Sequence, residues 1–363
     1  MNPLVPYIDL LIKLISIPAA SREEAQRADF LEKALEGMGH GVERVHNNLV
    51  IGRSNRKEGR INLLLNSHLD TVLPVEGWER DPYTPLREGE RITGLGSNDA
   101  GASVVALIAA YREMAPRLQG AVNLTLLISA EEEISGDEGI SAVLPGLEKM
   151  DAVIVGEPTG MKPAVAERGL MVLDGKVTGK AGHAGRNEGE NAIYKAMRDI
   201  GAMASLSFSE HSDWLPDPGV QVTMISGGTG HNVVPDVCRY VVDVRSNDRY
   251  GNERMLEIIS GVCQAELVPR STRLKPSTLE RGHLLMRTLF ACGLEPFGSS
   301  TLSDMALIPY PAIKMGPGDS ARSHTAGEHI LISELKAGVE GYCKFLSTMG
   351  EIVKKNSTTW NVA

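Results

Sequence analysis

Residues 61–70, INLLLNSHLD, constrain the chain more than any other stretch. Ile61 to Leu65 are apolar apart from Asn62, and charged or polar residues bound the run. Such a run suits a strand buried on both faces of a parallel sheet. It ends in His68 and Asp70, two residues apart, so both side chains can point the same way. The carboxyl end of a buried strand is also where open α/β sheets bind ligands. A strand-end turn with a solvated histidine and aspartate gives the same letters. The sharper alternative is a metal-binding His68 whose ring is fixed from behind by Asp70.

The pattern recurs downstream. Residues 122–129 read as a second buried strand, which runs into Glu131, Glu132 and Glu133. Adjacent carboxylates repel one another unless a cation compensates. Residues 151–155 read as a third strand, ending at Glu157. Asp99 lies in GLGSNDAG, just ahead of a helix of small residues predicted at 103–114. An N-terminal cap would by itself account for an aspartate there. A short strand at 312–315 leads into GPGDSARSHTAGEH, which holds His324 and His329. Strands alternating with helices predict an α/β fold with a doubly wound, mainly parallel sheet, its carboxyl edge carrying all these groups.

Between 168 and 278 the pattern changes. Residues 169–178 alternate apolar and polar, as do strands predicted at 220–225 and 237–244. Helices at 191–206 and 254–267 and a last strand at 273–278 complete a βαββαβ order, the ferredoxin-like arrangement of an α+β domain. The expected division is a catalytic domain at 1–167 and 279–363 with an inserted domain at 168–278. Elsewhere a helix is expected at 7–16. Ser21 and Glu24 form a capping-box pattern opening the next helix. A hairpin follows at 42–51, turning at Asn47 and Asn48. A C-terminal helix at 333–349 precedes a loose tail from 354.

Composition narrows the function classes. The chain has 363 residues, 42% hydrophobic and 23% charged, an ordinary globular balance. Its net charge of -9 and lack of a basic run argue against nucleic acid. Asp9 and Lys13 interrupt the apolar N-terminus, which reads as a soluble helix rather than a leader. No stretch is long enough to span a membrane. The four cysteines form no CxxC pair, so free thiols and a cytoplasmic location are expected.

The strand-end groups are imidazoles and carboxylates, which suit zinc, with cobalt or manganese as substitutes. Two such ions can share one carboxylate and one water. Two divalent cations, three ligand carboxylates and one hydroxide sum to zero charge, which matters in a partly buried site. One carboxylate is then left over to act as general base.

HLDTV, GSNDAG, EEE, GEPT and SHTAGE, in that order, resemble the metal-dependent amidohydrolases that include acetylornithine deacetylase, succinyl-diaminopimelate desuccinylase and carboxypeptidase G. The resemblance covers nearly the whole chain. It implies that His68, Asp99 and Glu157 hold one zinc and that Asp99, Glu133 and His324 hold a second, with Asp99 bridging. It also implies Glu132 as general base and Asp70 as the partner of His68. The family usually has Asp-Glu-Glu where this chain has three glutamates, so a shift by one residue would move base and ligand to Glu131 and Glu132. Ala100 stands where the family often has lysine. His329 rivals His324, but Ser-His-Thr-Ala-Gly-Glu fits the family's ligand context better.

GKAGHAG resembles the family's histidine turn, which implies that His183 reaches the active site of a second subunit of a homodimer and binds the oxyanion. A surface histidine in a glycine turn is the plain alternative. GGTGHNVVPD implies Asn232 at the substrate, with His231 incidental. VVDVRSND implies that Arg245 pairs with a substrate carboxylate. The expected reaction is hydrolysis of an N-acyl amino acid, first N-acetyl- or N-succinyl-ornithine in arginine biosynthesis. N-succinyl-diaminopimelate, N-acetyl-lysine and dipeptides follow as alternatives. A small-molecule-binding protein of the same fold is the non-enzymatic alternative. GSSTLSD, residues 298–304, departs from the family's glycine-rich version and is expected to help select the acyl group.

Overall fold

A computed structural model describes residues 3–186 and 188–360. The chain divides into two units. The first comprises Met1–Val165, Leu279–Phe297 and Ser303–Ala363; the second comprises Ala166–Thr278 and Gly298–Leu302.

The first unit is built on the strand that the apolar run predicts. It extends over Ile61–His68, between Val122–Ser129 on one side and Ala152–Val155 on the other, parallel to both. Ala312–Lys314 continues the parallel set beside Ala152–Val155. Antiparallel strands flank this centre: the hairpin Val42–Val45 and Asn48–Ile51 beside Val122–Ser129, and Ala164–Glu167 beside Ala312–Lys314. Leu63, Leu64, Leu65, Leu126, Leu127 and Ile154 are all fully buried, as strands covered on both faces require. The register places His68 opposite Ser129 and Asn66 opposite Val155. Glu131–Glu133 and Glu157, two or more residues beyond those positions, therefore emerge on the same carboxyl edge as His68.

Helix Ala102–Leu118 packs on this sheet with a nearly continuous buried surface of Ala, Val, Leu and Ile. Its first residue is Ala102 and Gly101 precedes it as cap, so Asp99 is not the capping residue. The second helix runs Ala25–Gly37 and starts without a side-chain cap. Ser21 does not form the expected capping box; its hydroxyl donates instead to Asp70 Oδ2 at 2.7 Å. The C-terminal helix runs Ile332–Trp360, so the expected tail from 354 is helical to 360, and residues 361–363 lie outside the described residues. Once a helix exists each added residue gains a hydrogen bond, so propagation through GEIVKK needs no further apolar pattern.

The second unit has four antiparallel strands in the order Gly219–Gly227, Val237–Ser246, Gly169–Thr178, Glu266–Pro269. Helices Ala192–Ala204 and Asn252–Val262 cover one face and bury Met171, Leu173, Tyr240 and Val242. This is the ferredoxin-like order. Its fourth strand is Glu266–Pro269, where the sequence suggests the end of a helix. The second helix stops at Val262. Ser277–Thr278, expected as that fourth strand, pairs instead with Ala166 and Glu167. All four cysteines are free. Among the described residues no helix is long and apolar enough to cross a membrane.

Candidate metal centre

Six side chains from five chain segments meet at the carboxyl edge of the first unit's sheet. His68 is 1% exposed. Its Nε2 lies 3.0 Å from Asp99 Oδ1, 3.6 Å from Glu157 Oε1 and 3.8 Å from Glu132 Oε2. His324 Nε2 lies 3.0 Å from Glu133 Oε2 and 3.7 Å from Asp99 Oδ2. Two triads result, His68–Asp99–Glu157 and Asp99–Glu133–His324, each with ligand atoms within 4.8 Å of one another. They share Asp99. A third grouping, His68 with Glu132 and Glu133, overlaps both.

The ring of His68 is oriented from behind. Its Nδ1 is 3.0 Å from the Asp70 carbonyl oxygen and 3.5 Å from Asp70 Oδ1. Two acceptors there hold a ring hydrogen on Nδ1 and aim Nε2 at the carboxylates, so that Nε2 is the atom that would ligate a bound cation. The Asp70 carboxylate, 1% exposed, does more than face the ring. It accepts the backbone N–H groups of Glu132 and Glu133, both at 3.1 Å. The turn that carries these two residues is thus pinned to the strand that carries His68.

The same turn distinguishes among the three glutamates. Glu131 has a left-handed backbone, φ 53°, which turns its side chain away from the cluster. There Glu131 Oε2 accepts the N–H of Glu138 at 3.3 Å, and Oε1 is 3.8 Å from Arg22. Glu132 and Glu133 face the histidines. His329 is not in either triad; it sits in a strand paired with Arg91–Thr93, and its Nδ1 is 3.0 Å from the Gly327 carbonyl.

Electrostatics show how the cluster is balanced. Burial opposes a charge on His68, but Glu132, Asp70, Asp99 and Glu157 outweigh it and hold the ring's pKa well above its ordinary value. Burial raises the pKa of Glu132 well above the usual range, with Glu157, Asp304 and Glu133 adding to it against His68. Burial does the same to Glu157. Asp99 moves the other way: burial is overcome by His68, Ser323 and His324, which lower its pKa. The hydrogen bond to Glu133 raises that of His324. The centre is thus a knot of buried acids short of positive charge.

Divalent cations fit this set. The buried Oε1 of Glu157 has no hydrogen-bond partner, and a buried acceptor left so is costly unless something else binds it. Nitrogen and oxygen donors in two three-residue groups, sharing one carboxylate, match ligand sets of zinc and its substitutes.

Three further acids, which the sequence reading did not place at the site, are buried around the centre. Glu24 Oε1 accepts the N–H of Arg22 at 2.8 Å and of Glu131 at 3.1 Å. Glu328 Oε1 accepts the N–H of Asn98 at 2.9 Å and of Asp99 at 3.0 Å. Asp304 Oδ2 accepts the hydroxyl of Ser129 at 2.6 Å, and burial pushes its pKa up to about 6. Asp304 ends the segment expected to select the acyl group, yet its side chain is turned into the first unit's interior.

The remaining candidates lie in the second unit. His183 pairs with Val233 in a two-residue ladder, and the Asn232 carbonyl accepts the N–H of Ala184 at 3.0 Å. His183 and Asn232 are therefore neighbours, and both are exposed. Arg245 lies on strand Val237–Ser246 and its guanidinium is held by Asp243 at 2.7 and 3.0 Å.

Comparison with known proteins follows this geometry. The model of a family described as peptidase family M20/M25/M40 matches residues 64–348. A succinyl-diaminopimelate desuccinylase of Delftia acidovorans is 27% identical, over 91% of this chain and 94% of that protein. An acetylornithine deacetylase of Myxococcus xanthus is 29% identical, over 92% of this chain and 89% of that protein. Among solved structures, aminopeptidase PepT of Bacillus cereus has a TM-score of 0.75 at 19% identity, covering 94% of this chain and 98% of its own. The YXEP protein of Bacillus subtilis, described as a dinuclear metal binding peptidase, has a TM-score of 0.70 at 15% identity, covering 97% and 99%.

Proposed function

The chain belongs to peptidase family M20/M25/M40 and is an amidohydrolase, and from that premise we propose that it removes the acyl group of an N-acyl amino acid, first N-acetyl- or N-succinyl-L-ornithine. One observation carries the reading: His68, Asp99, Glu132, Glu133, Glu157 and His324 meet at one sheet edge, five of them in two triads and Glu132 in neither. Succinyl-diaminopimelate is the second reading, because relatives of that name match at the same level of identity as the deacetylase.

Two zinc ions, or cobalt or manganese in their place, would be held by the two triads and would polarise the amide carbonyl and acidify a water. Glu132, beside His68 and clear of both triads, takes the proton of the attacking water and passes it to the leaving nitrogen. Burial raises the pKa of Glu132, and cations bound beside it would offset that, leaving the carboxylate to act as a base. Asp70 keeps Glu132 in place through the backbone N–H it accepts.

In the second unit, His183 donates to the oxyanion and belongs to the other subunit of a homodimer. Asn232 and Arg245 anchor the substrate's α-carboxylate. The two parallel N–H groups that Arg245 now gives to Asp243 match a carboxylate's geometry, so a substrate would replace one carboxylate by another. A panel of N-acyl amino acids assayed with zinc and with cobalt tests the reading. Acetyl- and succinyl-ornithine should head it, beside succinyl-diaminopimelate, acetyl-lysine and dipeptides. No amine released from any of them with either metal would refute it.

A further inference from the structure

Arg27 is 4% exposed, on the first turn of helix Ala25–Gly37. A guanidinium is rarely buried unless something specific holds it. Its Nε and Nη2 donate to the Ile17 carbonyl at 2.9 and 2.6 Å, and its Nη1 donates to the Leu69 carbonyl at 2.8 Å. Leu69 stands between His68 and Asp70. A side chain on Gly96 would place its Cβ 3.6 Å from Arg27 Nη1 and equally close to the Asp99 carbonyl, and 2.6 Å from Thr71 Cγ2. Gly96, at φ 77°, thus lets the chain ahead of Asp99 close on Thr71, beside the guanidinium.

The charges around Arg27 have a common task. Asp70, Glu328 and Glu24 are each buried, and all three act on its charge, with Tyr83. Asp70 holds the N–H groups of Glu132 and Glu133. Glu328 holds those of Asn98 and Asp99. Glu24 holds that of Glu131. Three buried carboxyl groups therefore grip the two turns that bear the shared ligand, the base and one ligand of the second triad.

We propose that Arg27 is a positioning residue of the metal centre, tying the strand end at His68 to residue 17 within the shell of buried carboxyl groups that hold the turns at 98–99 and 131–133. This rests on the metal reading given above. Its action on the metals passes through the ligands' supports, the kind of partner whose loss costs ten- to a hundredfold in affinity.

The test is cobalt titration of the chelated full-length chain, followed by the visible absorption of the bound ion. The wild type, R27M, R27K and, as a control for destabilisation alone, L31A are compared; Leu31 is fully buried on the same helix. R27M should bind cobalt about ten- to a hundredfold more weakly, with an altered absorption band. R27K, which keeps the charge but not the fork, should lie between R27M and wild type. L31A should keep the wild-type affinity and band. Wild-type affinity and absorption in folded R27M would overturn the proposal, as would equal weakening in L31A. If R27M does not fold, R27K decides alone: a wild-type affinity and band there overturn it. A wild-type chain that binds no cobalt is a different result, and refutes the metal reading itself.

Discussion

Glu328 offers a quantitative test of the supporting shell. Its side chain is buried, and burial pushes its pKa from 4.5 up to about 7, with the charge of Asp99 adding to the effect. A carboxyl whose pKa is higher in the folded than in the unfolded chain binds its proton more tightly when folded. Its contribution to stability is complete below 4.5 and is lost as pH rises through about 7. At about 1.4 kcal/mol for each pH unit, that interval amounts to about 3 kcal/mol. Glu328→Gln keeps the oxygen that accepts the N–H groups of Asn98 and Asp99 and removes the titration. In chelated protein, wild type and variant should have similar melting temperatures near pH 4.5. By pH 8 the variant should melt roughly 6–12 °C higher, at ~2–4 °C per kcal/mol for a domain of this size. Thermal unfolding followed across that range measures the difference directly. Bound metal stabilises the neighbouring anions, so the gap should narrow in the loaded protein. Parallel curves for the two chelated proteins from pH 4.5 to 8 would refute the reasoning.

Glu132→Ala should reduce turnover by about 10²–10⁴-fold or more while leaving two metals bound; metal loss, measured by elemental analysis, would reassign the residue. Mixing His183→Ala chains with chains carrying Glu132→Ala should restore activity in the hybrid dimer, and hybrids that stay inactive would show that no site is shared between subunits. Exchanging residues 298–302 while keeping Asp304 should alter the ratio of acetyl to succinyl substrates cleaved, and an unchanged ratio would dismiss that segment from acyl selection.

The sheet and the groups at its edge were legible because two simple regularities coincide there. An apolar run sets a buried strand, and the residues just beyond it must emerge at the ligand-binding edge. The three glutamates show where that logic stops. Their spacing is the same whichever two face inward, and the choice follows from the left-handed backbone at Glu131, which no letter announces. Ser21 misled for a related reason. Its spacing to Glu24 fits a helix cap, but the carboxylate that takes its hydroxyl is 49 residues away in sequence. Glu266–Pro269 escapes a sequence reading because four residues so soon after the helix that ends at Val262 carry no period of their own. Glu24, Glu328 and Asp304 stand in the capping-box, SHTAGE and GSSTLSD stretches, but nothing in those letters announces that their carboxyls are buried around the centre.

The two ligand groups differ in their access to water. His68 is sealed in the interior, whereas the His324 side chain is 52% exposed. An ion held at the His324 position would therefore have an open door for exchange, and one at the His68 position a closed one. A competing chelator should empty the pair in two stages, passing through a half-loaded enzyme that keeps its ion at His68. Because Asp99 belongs to both groups, an ion left at His68 would have that carboxylate to itself.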